Sequence, residues 1–138
     1  MSTDAGLDLL AAVRTALVAD TFVQGLVAGR VFSSWGNQDV ATPLIRMSLG
    51  RAERFEMDFA GDGSDTSISV HVFTAEDAPV QCRQIASRVR DVLQDAPLAL
   101  SGSNLFQLQF RDILQIPDPQ SPALQMAVVR FNAFTTTK

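Results

Sequence analysis

The chain has 138 residues, room for one domain of ordinary size, with 46% hydrophobic residues and a formal net charge of -4. Charged residues are only 19%, below the ~25% usual in soluble domains, and eleven Ser, nine Thr and ten Gln fill the gap. One His, one Cys and one Lys exclude multi-His metal sites, intrachain disulfides, Cys-rich zinc clusters and a phosphate-loop lysine.

The first expected element is a helix over Asp4 to Ala19, with Leu7, Leu10, Val13, Leu17 and Val18 near helical spacing. Thr3 or Asp4 suits its N-cap. Gly25 and Gly29 bracket Leu26-Val27-Ala28, a passage unsuited to a long helix, and Val31-Phe32 reads as a short strand. A polar loop from Ser33 to Thr42 leads to Pro43, which starts a strand in which Ile45, Met47 and Leu49 alternate with polar residues. The alternation continues from Arg51 to Phe59, with Phe55, Met57 and Phe59 on one face and Arg54, Glu56 and Asp58 on the other. Gly61 to Asp65 reads as a turn, and Ile68, Val70 and Val72 as the returning strand of a hairpin. Pro79 opens a second helix with a stripe of Cys82, Ile85, Ala86, Val89, Val92 and Leu93, ending near Asp95. From 105 to 116, Phe106, Leu108, Phe110, Leu114 and Ile116 are placed on one face, with a bulge or strand end at Asp112. A Pro-rich turn at 117–122 precedes a last strand, where apolar parity changes near Val128 and suggests a second bulge. The expectation is an α+β domain over residues 1–138: two helices on one face of a mainly antiparallel sheet built from two hairpins.

Candidate chemistry is sparse. Cys82 sits on the apolar stripe of a helix, where free Cys behaves as a small hydrophobe, and His71 lies on the polar face of a strand. They do not make a credible nucleophile and base. Asp58, Asp62 and Asp65 lack the spacing and closing Glu of a calcium loop, and Gly61-x-Gly63 lacks the rest of a dinucleotide fingerprint. Asp112 either bulges into solvent or is a buried or interfacial partner for an arginine such as Arg130. No catalytic, metal or cofactor residue is assigned, and no cofactor is expected. No segment reaches the ~18–20 consecutive apolar residues of a membrane span, and no secretory signal is read at the start of the sequence. Ten Arg are scattered among twelve Asp and three Glu, so no basic cluster offers tight duplex binding. Trp35, in a polar loop, is either tucked under that loop or covered by a partner.

Several strings together resemble one family. These are the amphipathic helix Leu7 to Val18, Gly29-Arg30-Val31-Phe32, and the Pro-started strand Thr42-Pro43-Leu44-Ile45-Arg46-Met47. The strand Ser67 to Phe73, followed by a helix ending in Val92-Leu93, and the closing Ala127-Val128-Val129-Arg130-Phe131 complete the set. In order and pattern the chain resembles the tail-completion or tail-terminator proteins of long-tailed bacteriophages and gene transfer agents. Phe73 stands where many relatives carry Trp. The resemblance implies a non-enzymatic virion protein of the tail-neck region, assembled in the bacterial cytoplasm. Its copies would form a ring, usually hexameric, that ends the tail tube. Implied partners are further copies of itself, the tail tube protein, a head-side connector or stopper protein, and double-stranded DNA in transit, with no membrane. An acidic subunit suits a lumen through which DNA slides. The alternatives are another head-tail joining component or a small ligand-binding or enzymatic α+β domain.

Within that reading the hairpin over Arg51 to Thr66 is the candidate assembly element, carried by Arg54, Phe55, Met57 and Phe59, with Trp35 as a second candidate contact. Three large apolar side chains on one face of a projecting ribbon need cover. The other possibility is that the hairpin packs on its own sheet.

Overall fold

The structure, a computed structural model, describes residues 5–33, 41–57, 61–100, 103–117 and 124–137. Ala5–Ala19 form helix α1, whose buried side is Leu9, Val13 and Leu17, spaced four apart. Leu7, expected on that stripe, is exposed, because it lies two residues before Leu9 and so about 200° around the axis. Asp20 stops α1 and caps the next helix, its carboxylate accepting from the Val23 amide at 3.1 Å. That helix, α2 (Thr21–Val27), runs into the Gly-bracketed passage, so the described residues hold three helices where two were expected. It ends where Ala28 and Gly29 adopt φ of 50° and 80°, the left-handed region.

The strands are β1 (Val31–Phe32), β2 (Leu44–Met57), β3 (Gly61–Ala75), β4 (Ser103–Pro117) and β5 (Leu124–Thr137), with α3 (Pro79–Leu93) between β3 and β4. They form one α+β sheet in the order β1-β2-β3-β5-β4. The short β1 runs parallel to β2, and the other pairings are antiparallel, so the sheet is mixed. The Thr42-Pro43 peptide bond before β2 is cis.

Alternation assigns each row of residues to one face. The row Met47–Val70–Val129–Ile113 and its neighbours meet the helices, joining Leu9, Val13, Leu17, Val23 and the α3 stripe in the main core. The α3 stripe is as read, with Cys82, Ile85, Ala86, Val89 and Leu93 buried. The opposite row Leu44–Phe73–Met126–Ile116 anchors a second apolar cluster to which no helix contributes a buried residue.

Bulges decide several faces. Leu49 pairs with Ile68 and Ala52 with Thr66, so Gly50 and Arg51 oppose Ser67 alone. A side chain at Gly50 would bring its Cβ to 3.1 Å from the Ser67 Cβ, which is why a residue without one fits the bulge. In β4, register shifts lie between Leu105 and Gln107 and between Phe110 and Asp112. The second is the bulge expected at Asp112. Each shift exchanges faces, so Leu105, Leu108, Phe110 and Ile113 pack on the core while Leu114 and Ile116 belong to the other side. The expected grouping of Leu108 and Phe110 with Leu114 and Ile116 is thereby corrected. No shift occurs at Val128. The parity change there has another cause: Met126 and Val128 belong to the second cluster, and Val129, Phe131 and Ala133 to the main core. Gly61 to Asp65, read as a turn, lies within β3, paired with β2 on one side and from Gly63 onward with β5 on the other.

Phe131 is 1% exposed and meets Phe110 edge-on at 5.9 Å between ring centroids, whereas Leu114 is 51% exposed. Phe131→Ala should therefore cost about 3–5 kcal/mol in urea denaturation, and Leu114→Ala within about 0.5 kcal/mol.

Candidate assembly surfaces

The two residues most capable of nucleophilic chemistry are kept apart by the sheet. Cys82, on α3, is fully buried in the main core, its thiol donating to the Val72 carbonyl at 3.5 Å. Burial pushes that thiol above its ordinary pKa, away from the reactive thiolate. His71 belongs to the row Arg46–His71–Val128, on the face away from α3, where its Nε2 lies 3.4 Å from the Ser48 hydroxyl. No cluster of three metal-ligating side chains occurs among the described residues. Asp65, one of the three acids near the hairpin turn, accepts from the Asn132 amide at 2.6 Å; Asp58 and the Asp62 side chain lie outside the described residues.

What the chain offers instead is surface. The helix-free face grades along the strands from apolar to polar. At the end formed by Leu44 and Ala75 it carries the second cluster, with Arg46 only 7% exposed and its guanidinium carbon 5.4 Å from the Phe32 ring centroid. Next comes Ser48–Ser69–Arg130–Asp112, a row in which Arg130 and Asp112 form a two-pronged ion pair. Asp112 thus sits at the bulge in solvent, and its partnership with Arg130 forms there on the exposed surface, not at a buried site. Both side chains are well exposed, so the pair adds little stability.

Toward the other end the strands outrun the helices. Strands of 14 or 15 residues span about 45–50 Å, against about 22 Å for the 15-residue α3. The β2–β3 hairpin does not extend alone: β5 flanks β3 as far as Gly63–Thr136, and β4 flanks β5 as far as Ser103–Thr137. Arg54, Phe55 and Met57 pair with Ser64, Gly63 and Gly61. The Gly50–Arg51 bulge shifts the positions of Phe55 and Met57 into the rows of the helix-free face. Their side chains, and Trp35 and Phe59 entirely, lie outside the described residues.

A further surface was missed from sequence. Above α3 lies an open groove of about 790 Å³, lined by Phe22, Pro79, Val80, Arg83, Arg88 and Asp91 among others. Phe22 and Val80 are 44% and 69% exposed. The available signal was Val80, an apolar residue off the helix stripe, together with Phe22 in a passage read as turns. At the groove's edge Arg88 donates through Nη2 to Asp20 Oδ1 at 2.7 Å, fastening the corner between α1 and α2 to α3. That guanidinium holds the Asp20 carboxyl below its ordinary pKa, although partial burial opposes the shift. Asp112 is lowered likewise by Arg130.

Among the described residues the chain is a helix-covered sheet that presents faces and edges. The chain superposes on a chain from the structure titled "Virion of native gene transfer agent (GTA) particle" with a TM-score of 0.81 and 24% identity, covering 98% of this chain and 99% of that one. A second solved structure matches with a TM-score of 0.60 and 16% identity, covering 99% of both chains. No curated protein matches the sequence. The family described as tail completion protein gp17 matches residues 11–136, and the chain belongs to that family.

A carboxyl whose pKa is lowered by folding stabilises above its unfolded value and loses that contribution as pH falls through the folded value. Asp20→Asn keeps a capping oxygen but removes the charge. It should lower stability at neutral pH by about 1 kcal/mol or less, and the deficit should close as pH drops below 3.8, as read by urea denaturation across pH.

Proposed function

We propose that this tail completion protein acts as a single domain that assembles into a ring, hexameric in the simplest case, at the head-proximal end of the tail tube. The ring stops tube growth and gives the head-side connector or stopper its docking surface, and double-stranded DNA passes through its lumen. Its role is structural, without catalysis, exercised in the tail-neck region of the virion after assembly in the bacterial cytoplasm. The observation that carries this reading is the family membership over residues 11–136. The long sheet supports it physically, because its extent beyond the helices offers contact area to neighbours on more than one side. A net charge of -4 disfavours phosphate retention along a DNA path.

Particles assembled without this chain should show tails of uncontrolled length that are not joined to heads, with normal particles restored by supplying the wild-type protein. Joined tails of normal length in its absence would overturn the reading. The purified protein should show no tight duplex binding at physiological salt. A steep fall of affinity with salt, the mark of several neutralised phosphates, would contradict the DNA path proposed here.

A further inference from the structure

We propose that the groove on α3 receives the end of the β2–β3 hairpin from a second copy of this chain. This rests on the ring reading above and supplies it with a contact. The groove's apolar lining is exposed at Phe22 and Val80, and its charges are unevenly satisfied. Asp20 takes up the charge of Arg88, and Arg90 pairs with Asp91 at 3.3 Å, whereas Arg83 has no ion pair among the described residues. Among the described residues what remains is an apolar strip beside one unbalanced cation, Arg83.

The sequence Phe55-Glu56-Met57-Asp58-Phe59-Ala60-Gly61-Asp62 is its chemical complement, three large apolar residues interleaved with two acids and followed by a third. The apolar residues of such a segment suit the apolar strip in chemistry, and its acids suit the arginine at the strip's side. Its own chain is badly placed to supply it. Pro79 and Val80 follow the Ala75 end of β3, and the described β2–β3 pairing ends at Met57–Gly61, about 46 Å away along the strand. Only another copy brings the two together. Groove and hairpin end are different patches, so the contact is heterologous and repeats head to tail, the arrangement that closes rings.

Cross-linking in assembled particles tests this. The full chain carrying Val80→Cys and Phe59→Cys, treated with a short bis-maleimide, should give a ladder of chain multimers, while either single variant stays monomeric on denaturing gels. Particles that contain the double variant yet give no chain–chain adduct, or give adducts only to a different protein, would overturn the proposal and leave the tail role standing. Absence of the wild-type chain from tail ends would instead defeat the ring reading. Should the double variant fail to enter particles, charge reversal decides. Arg83→Glu should lower the yield of head-joined particles by about tenfold, and Asp58→Arg added to it should restore most of that yield. No loss, or loss without recovery, rejects the contact.

Discussion

Four long strands, each alternating its residues between two faces, set the terms for everything else in this molecule. With α1, α2 and α3 all on one side, that side must be apolar over the length the helices reach. The rows through Ile45, Met47 and Leu49 satisfy this. Because the Leu44–Phe73–Met126–Ile116 row is also apolar, the central strands at that end read as hydrophobic on both faces, and β5 carries Met126-Ala127-Val128-Val129 without a break. Bulges then act as switches of face. One in β2 and two in β4 are enough to send residues that look equivalent in sequence to opposite sides of the sheet.

That arrangement explains what was legible in the sequence. The α3 stripe was readable because a 3.6-residue period over 15 residues has few competing interpretations. Ile45, Met47, Ile68, Val70 and Val72 were readable because simple alternation holds there. Leu114 and Ile116 were misplaced because the Arg111 bulge reverses the count after Phe110. The parity change at Val128 looked like a bulge because a strand buried on both faces leaves no polar residue to mark the register. The helix α2 was hidden by Gly25, and the hold of Arg88, 68 positions away, on its cap residue Asp20 is not readable locally. The groove on α3 shares that non-local origin, since Phe22 and Val80 become neighbours only after the corner at Asp20 is fastened to α3.

The sheet also leaves long edges. Among the described residues the short β1 covers β2 only at Ile45 and Arg46, and β4 has no strand on its outer side. Open edges of this length invite indiscriminate pairing, and proteins blunt them with bulges and charge. Both devices are present: the two register shifts in β4, and in β2 the Gly50–Arg51 bulge followed by the exposed Arg51–Glu53 ion pair. A protein that must join only certain neighbours benefits from edges that do not pair freely.

Asp20 has a consequence for the order in which the fold opens. One carboxylate ends α1, caps α2 across a corner of about 90° and holds Arg88 of α3. Fraying of α2 at its first turn releases the acceptor of the Val23 amide and loosens the clasp on α3 in the same event. The corner and the third helix are thereby coupled into one cooperative unit. Amide protons in the first turn of α2 then exchange with solvent through openings that also free Arg88, so their protection reports on the attachment of the N-terminal helices to the sheet.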